Sequence, residues 1–499
     1  MKGFATPPFL RRLGNLGALG GMFVVMACGG KPAAAPTQTS AQPVTLKISD
    51  YSPEQKDFHK QVADQYHTEH PNVTIEWNSI AQAQYNQTMP LAFESHQAPD
   101  IFFWKSDLNP VLTMSYLFDQ GWIRPLGKEG AVPPDWQKRW PDGMFVEGVN
   151  VKGGKVYGFP FTDNKIWGPG YFYWNKSLFK AAGLDENKAP STWNELAQDC
   201  AAIKSKEPDK FCAAVPLKGT DPQRWWFNLA GSIMTDQPFF DLKSGRFDLN
   251  DPRLLKAFGY LQSLYKSGYV APGVNDKDFS RQQVAAGQAA MYMDGAWMPG
   301  VWAQQGFDSS KYGVAAMPYP DDAPRGGLAQ RYSENKYWLS SQSTHPQEAW
   351  ELIQWMTQPD GFFAQGYLKG GFGTLAYANN QKYLTDPAMQ QVIRVGTTKG
   401  FRALDPEPLL KCPDLTKSKA LSDASALHPN WEWETITDAI VNNKNFATTA
   451  KEVADARQKV LTEELDKEKA SGLKVSLDCY TFADWNYNQD FDVSKYPKQ

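Results

Sequence analysis

The hydrophobic period of residues 44–104 passes from two to about 3.6 and back, twice over, and that switching fixes the class of fold. Val44, Leu46 and Ile48 alternate with polar residues as a strand does. Phe58, Val62 and Tyr66 then repeat at helical spacing as far as Pro71, after which Val73, Ile75 and Trp77 alternate again. A second helix is expected around Tyr85 to Phe93. After Ala98-Pro99-Asp100 comes Ile101-Phe102-Phe103-Trp104, an unbroken apolar run suited to a strand buried on both faces. Strands alternating with helices imply an α/β fold with a largely parallel sheet. Ligands of such sheets gather at the carboxyl ends of the strands, which puts Asp50-Tyr51 and Trp104 where a site forms.

The N-terminus is of another kind. Lys2, Arg11 and Arg12 precede a mostly apolar or glycine stretch, Leu13 to Met26, which has the composition of a secretory signal and is too short to span a bilayer. Cys28, followed by Gly29-Gly30, resembles the lipid-acylated cysteine of the bacterial lipobox, with Met26 departing from the small residues usual there. Residues 29–43, GGKPAAAPTQTSAQP, have no hydrophobic period and read as a flexible tether. The protein is therefore expected outside the cytoplasm, held to the membrane by its lipid alone. Removing residues 1–27 deletes three positive charges and no negative ones, so the formal charge moves from −3 to −6. A mildly acidic surface argues against nucleic acid and anionic membrane as partners.

At 499 residues the chain is too long for one core and is expected to form two or three domains. Apart from Cys28 it has four cysteines, an even number in an oxidising compartment. Of the three possible pairings we favour Cys200 with Cys212, a short loop after a helix, and Cys412 with Cys479, which would tie down the C-terminal region. No close cysteine pair suggests zinc, and no metal or cofactor is expected. The 18 tryptophans, 21 tyrosines and 28 phenylalanines are numerous, and many sit beside Gly, Pro, Asp or Asn in expected loops, where core packing explains them less well.

Further along, Tyr171-Phe172-Tyr173-Trp174-Asn175 reads as a strand. Ser191-Thr192 with Glu195 reads as a helix cap, and helices are expected at about 252–267, 278–289, 345–357, 386–395, 431–442 and 450–470. Several blocks then fall in a familiar order: PDIFFWKSD (99–107), GWIRPL (121–126), KVYGFPF (155–161), YFYWNKSLFKAAGL (171–184), TWNEL (192–196), GQAAMYMDGAW (287–297), YGVAAMPYP (312–320) and SSQSTHPQEAWELIQWMTQP (340–359). Across roughly residues 44–470 the chain resembles the extracellular solute-binding proteins of ABC importers, the group that includes maltose-binding protein.

The resemblance implies an α/β, two-lobe periplasmic-binding-protein-like fold with a ligand cleft between lobes joined by crossing strands. Lobe 1 would hold 44–160 plus 316–373 and lobe 2 would hold 161–315 plus 374–470, with 471–499 an extension associated with lobe 2. It further implies a monomer that binds a carbohydrate and hands it to an ABC permease. Sugars present a C–H face and a hydroxyl rim, which call for flat aromatic rings and planar polar groups. On that basis Trp104 and Asp107 are expected on lobe 1, and Trp297, behind Asp294, with Trp433 on lobe 2. Asp163, Asn164 and Trp167 lie at the first crossing, and Arg224, Trp225 and Trp226 fall in a segment that lines the cleft in relatives. Tyr51, Tyr85, Asn335 and Gly371-Phe372 are looser expectations, and Gly371-Phe372-Gly373-Thr374 departs from the Gly-x-Pro element common in the family.

The rival in another class is an exported glycan hydrolase using Asp107 with Glu334 or Asp294 as acid and base. Against it, the chain has no Gly-x-Ser-x-Gly and no His-Glu-x-x-His, and the glycine run 369–373 lacks the Lys-Ser/Thr of a phosphate loop. Within the binding-protein reading, a polyol phosphate or a peptide is the alternative ligand. The absence of an Arg/Lys cluster at the expected positions favours a neutral one.

Overall fold

The computed structural model describes residues 42–496 apart from 105–111, 142–143, 220, 223–224, 226–227, 231–239, 323–327, 331–334, 399–400, 429–430 and 487–488. Two four-stranded sheets organise it. The first is built from the segment whose periods alternate: β1 (Val44–Asp50), α1 (Lys56–Glu69), β2 (Val73–Ser79), α2 (Gln82–Glu94) and β3 (Ile101–Phe103). Helix α3 (Leu112–Asp119) follows. β1 pairs in parallel with both β2 and β3. The run 101–103 is buried throughout because it faces two cores: Ile101 and Phe103 belong to the main cluster, while Phe102 packs with Tyr85, Phe93 and Trp338.

The second sheet is centred on β4 (Pro169–Asn175). Helix α4 (Trp193–Lys206) opens on the expected cap, with Thr192 Oγ1 accepting from Glu195 N at 3.2 Å and Ser191 N donating to Glu195 Oε2 at 2.6 Å. It leads to β5 (Phe211–Ala213). Then come β6 (Ala289–Gly295), α5 (Met298–Gln304) and β7 (Tyr312–Ala316). Tyr171 and Tyr173 of β4 point into one core and Phe172 and Trp174 into the other, which is why that strand is apolar without alternation. β4 runs antiparallel to both β6 and β7, so this sheet is mixed where a largely parallel one was expected. The reason is connectivity: β4 carries the chain away from the edge where it enters, and β6 and β7 bring it back there.

The chain passes between the sheets more than once. β8 (Leu328–Gln330) precedes β9 (Tyr337–Leu339), which completes the first sheet antiparallel to β3. Helix α6 (Phe362–Lys369) and β10 (Arg402–Leu404) follow, and β10 pairs in parallel with β8. Segments around 160–163, 335 and 374–376 lie side by side. Pro160 bridges Asn335, Ala376 N donates to Phe161 O at 2.9 Å, and Thr374 Oγ1 donates to Asp163 O at 3.1 Å.

The helices α7 (Trp431–Asn442) and α8 (Phe446–Ala470) end the regular part. Both favoured disulfides are present, Cys200–Cys212 and Cys412–Cys479. Beyond Cys479 the chain forms its own small core, with Phe482, Trp485 and Phe491 around Leu242. It ends against β10: Phe491 N donates to Leu404 O at 2.7 Å and Leu404 N to Asp490 Oδ1 at 2.8 Å.

His59 of α1 is 2% exposed and stacks on Trp77 at 4.0 Å and 6°, with Nδ1 3.0 Å from Ser79 Oγ. Burial pushes its pKa down to about 4, only partly opposed by Asp50, whose Oδ2 lies 3.7 Å from Nε2.

A chain-entropy estimate gives about 4 kcal/mol for the loop closed by Cys412–Cys479 and about 3 kcal/mol for the shorter one. A Cys412→Ser/Cys479→Ser double variant should therefore lose about 4 kcal/mol in denaturant unfolding and be cut first within 471–499 by protease; an unchanged midpoint and cleavage pattern would contradict this. For His59, the unfolded chain takes up a proton near pH 6.5 and the folded protein only near pH 4. Its contribution is therefore intact above pH 6.5 and falls on acidification to pH 4, by about 3 kcal/mol in all. Replacing His59 with Asn should flatten stability between pH 6.5 and 4 relative to the parent, whereas parallel curves would refute the assignment.

Candidate functional site

The carboxyl edge of the first sheet carries an aromatic group. Tyr51, directly after β1, sets its ring 4.4 Å from Phe103 and 5.7 Å from Tyr85. Trp104, directly after β3, is half-buried, with its ring 5.4 Å from Trp122 at 89° and 6.2 Å from Tyr116 at 15°; its carbonyl accepts from Trp338 Nε1 at 3.0 Å. Tyr85 is fully buried and braces the strand ends, donating toward Phe103 O at 2.7 Å and Ser49 O at 3.0 Å. Asn335 is a second brace, with Nδ2 donating to Val149 O at 2.8 Å. Phe372 packs on Phe58 and Tyr367, and Gly371 lies against Gly300 of α5. Two polar groups on this edge were not singled out from sequence: Glu54, exposed yet hemmed in so that desolvation raises its pKa, and Lys336, buried just before β9.

The matching edge of the second sheet brings Trp167 and Trp297 together, ring centroids 5.9 Å apart at 65°, both half-buried. Each ring is placed by a local device. The β4–β6 register shifts between Asp294 and Gly295, and a Cβ on Gly295 would run into the Trp297 indole, so glycine lets that ring lie over its own backbone. On the other side Gly168 has φ +152°, and a Cβ there would collide with the Arg402 guanidinium. Arg402 Nη1 donates to Asn164 O at 2.9 Å and Trp167 O at 3.1 Å, and Nη2 donates to Pro169 O. Asp163 tightens the same turn: Trp167 N donates to its carbonyl at 2.7 Å and Lys165 N to its Oδ1 at 3.0 Å. Burial raises the Asp163 pKa against those interactions. Asn164 Oδ1 accepts from Thr162 Oγ1 at 3.0 Å.

Two expected ligand residues are placed elsewhere. Asp294 is 1% exposed and pairs with Arg281, Nη2 to Oδ2 2.8 Å, while its other oxygen accepts from Gly295 N, so it holds the strand end in place. Trp225 is fully buried in the second core. Trp225 was expected in the cleft from the family resemblance and Asp294 from its place just before Trp297; long-range packing holds both instead. Cys28, Asp107, Arg224, Trp226 and Glu334 lie outside the described residues, as does the side chain of Trp433, whose backbone belongs to α7. The acid and base proposed for a hydrolase thus fall on undescribed residues and on the ion-paired Asp294. Among the described residues, no group of three or more His, Cys, Asp or Glu is arranged to hold a metal, and no helix is long and apolar enough to cross a membrane.

Known proteins share this architecture. The family model for the bacterial extracellular solute-binding protein matches residues 50–361. An uncharacterized ABC transporter extracellular-binding protein of Pyrococcus horikoshii is 27% identical over 345 residues, 64% of this chain and 70% of that one. The sn-glycerol-3-phosphate-binding periplasmic protein of Brucella abortus is 24% identical over 245 residues, 46% of this chain, and the match spans 50% of that relative's length. The GacH receptor of Streptomyces glaucescens, solved unliganded and with acarbose, has the same fold, with a TM-score of 0.63 at 16% identity over 84% of this chain and 99% of that one. Two sheets with crossing segments, under a family model that spans more than half of the residues, establish that the chain belongs to the bacterial extracellular solute-binding proteins of ABC importers and works outside the cytoplasm.

Proposed function

We propose that the chain captures a mono- or oligosaccharide in an aromatic cleft between its lobes and delivers it, unaltered, to a membrane permease. The observation that carries this reading is the Trp167–Trp297 pair, half-buried at 5.9 Å on one sheet edge, with Trp104 and Tyr51 on the corresponding edge of the other sheet. Indole faces suit the C–H face of a pyranose, and half-burial leaves area for a ligand to cover. Lobe 1 is taken as 44–160 with 316–373 and lobe 2 as 161–315 with 374–470, carrying 471–499. A sugar touching both favours the form in which they close, and the permease reads that form. Lipid on Cys28 holds the monomer at the membrane, and Asp107, Arg224, Trp226 and Trp433 remain proposed contacts.

One relative's name, an sn-glycerol-3-phosphate-binding protein, favours a second reading in which the ligand is a polyol phosphate. A thermal-shift screen of neutral saccharides against glycerol 3-phosphate separates the two, since a ligand that binds only the native state raises its stability. A rise with a saccharide supports the first reading, and a rise with glycerol 3-phosphate alone supports the second. Replacing Trp297 with Ala should weaken saccharide binding about tenfold, given the roughly 1 kcal/mol or more expected of an aromatic contact. An unchanged calorimetric Kd would remove Trp297 from the site.

A further inference from the structure

Lys336 is the most unusual charge in the first lobe. It stands where the chain returns to the sheet, between Asn335, which bridges Pro160, and Tyr337, which opens β9 opposite Phe103. The residue is 8% exposed, and its ammonium is boxed by aromatic rings: Phe161 at 5.0 Å, Tyr337 at 5.2 Å, Tyr367 at 5.3 Å and Phe103 at 5.5 Å. Among the described residues it makes no hydrogen bond and no ion pair within 4.0 Å; Asp50 and Glu54 act on it only from farther away. Asp50 is committed elsewhere, accepting from Ser52 N at 3.1 Å, Tyr337 Oη at 3.1 Å and Trp77 Nε1 at 3.2 Å. A buried ammonium with three donors unspent is costly, and ring faces recover only part of what water supplied. Glu54 nearby is solvent-accessible and keeps acceptor capacity beyond its 3.3 Å contact with Gln55 Nε2.

Resting on the saccharide reading, we infer that Lys336 and Glu54 form a polar subsite that reads the hydroxyl rim of a neutral sugar and disfavours phosphorylated ligands. A hydroxyl both accepts and donates, so it accepts a hydrogen bond from the ammonium and donates one to the carboxylate. The phosphate group of a monoester near pH 7 offers acceptors almost exclusively. The local charge decides against it, because one lysine faces two carboxylates, Asp50 and Glu54, while His59 is held neutral by burial. A phosphate monoester, close to doubly negative, would meet two carboxylates against one ammonium among the described residues. The aromatic rings crowd the ammonium and limit its hydration, so the bond it makes to a ligand is stronger than in bulk solvent.

The test uses the full chain, calorimetry, and maltotriose, mannotriose, xylotriose and glycerol 3-phosphate as probes. The parent should bind at least one trisaccharide more tightly than glycerol 3-phosphate. Lys336→Met should weaken that saccharide about tenfold to a hundredfold, the range for losing a hydrogen bond to a charged donor. Glu54→Gln, at an exposed position that folding tolerates, should weaken it several-fold while narrowing the preference over glycerol 3-phosphate, and it decides the matter should the Lys336 variant fail to fold. Saccharide binding unaffected in a folded Lys336→Met or in Glu54→Gln would overturn this inference alone. Binding of glycerol 3-phosphate with no saccharide bound would overturn the saccharide reading along with it.

Discussion

The half-buried Arg402 makes the contacts on which the candidate site depends. It spreads over three backbone carbonyls of the loop that leaves the first sheet and enters the second, those of Asn164, Trp167 and Pro169. Its charge is met by these dipoles, by the rings of Tyr171 and Phe401 at 5.6 Å and 5.2 Å, and by Asp163 at longer range. Removing it would leave three carbonyls without donors in a crowded turn, at about 1–3 kcal/mol for each one that stays buried. The loop it holds carries Trp167, and Trp167 positions Trp297.

Arg402 also belongs to β10, so the strand that pins the first crossing is paired with β8, which lies on the way back to the first sheet. The C-terminal region joins here as well. Asp490 accepts from Leu404 N and pairs with Lys165 at 3.0 Å, one residue from Asn164. The extension beyond Cys479 therefore ends beside the crossing segments, and the Cys412–Cys479 disulfide keeps it there. The exposed ion pair itself adds little. The backbone bonds and the small core around Phe482 and Trp485 hold the strap.

Much of the fold was legible because it is written in local periods. The first sheet, the cap at Thr192 and the helices at 252–266, 431–442 and 446–470 follow from spacing and caps, while cysteine parity gave two disulfides but left three pairings, of which the favoured one is present. The direction of β4 was not, since an apolar run such as Tyr-Phe-Tyr-Trp says that both faces are buried and nothing about which neighbours it meets. The site was legible in part. Trp167 and Trp297 were expected separately, and their meeting depends on a register shift that no sequence period encodes. Asp294 misled because its partner Arg281 comes from a preceding helix. Lys336 and Arg402 went unnoticed because their surroundings are assembled from distant segments: for Lys336, the ends of β3 and β9, the first crossing and α6.

In the proposed mechanism a sugar held between two aromatic edges draws the lobes together without being changed. Small-angle X-ray scattering of the purified protein, with and without the saccharide that raises its thermal stability, tests it directly. A smaller radius of gyration on binding, with the sugar recovered intact, is the predicted result. An unchanged radius at saturating sugar, or hydrolysis of the sugar, would contradict the claim.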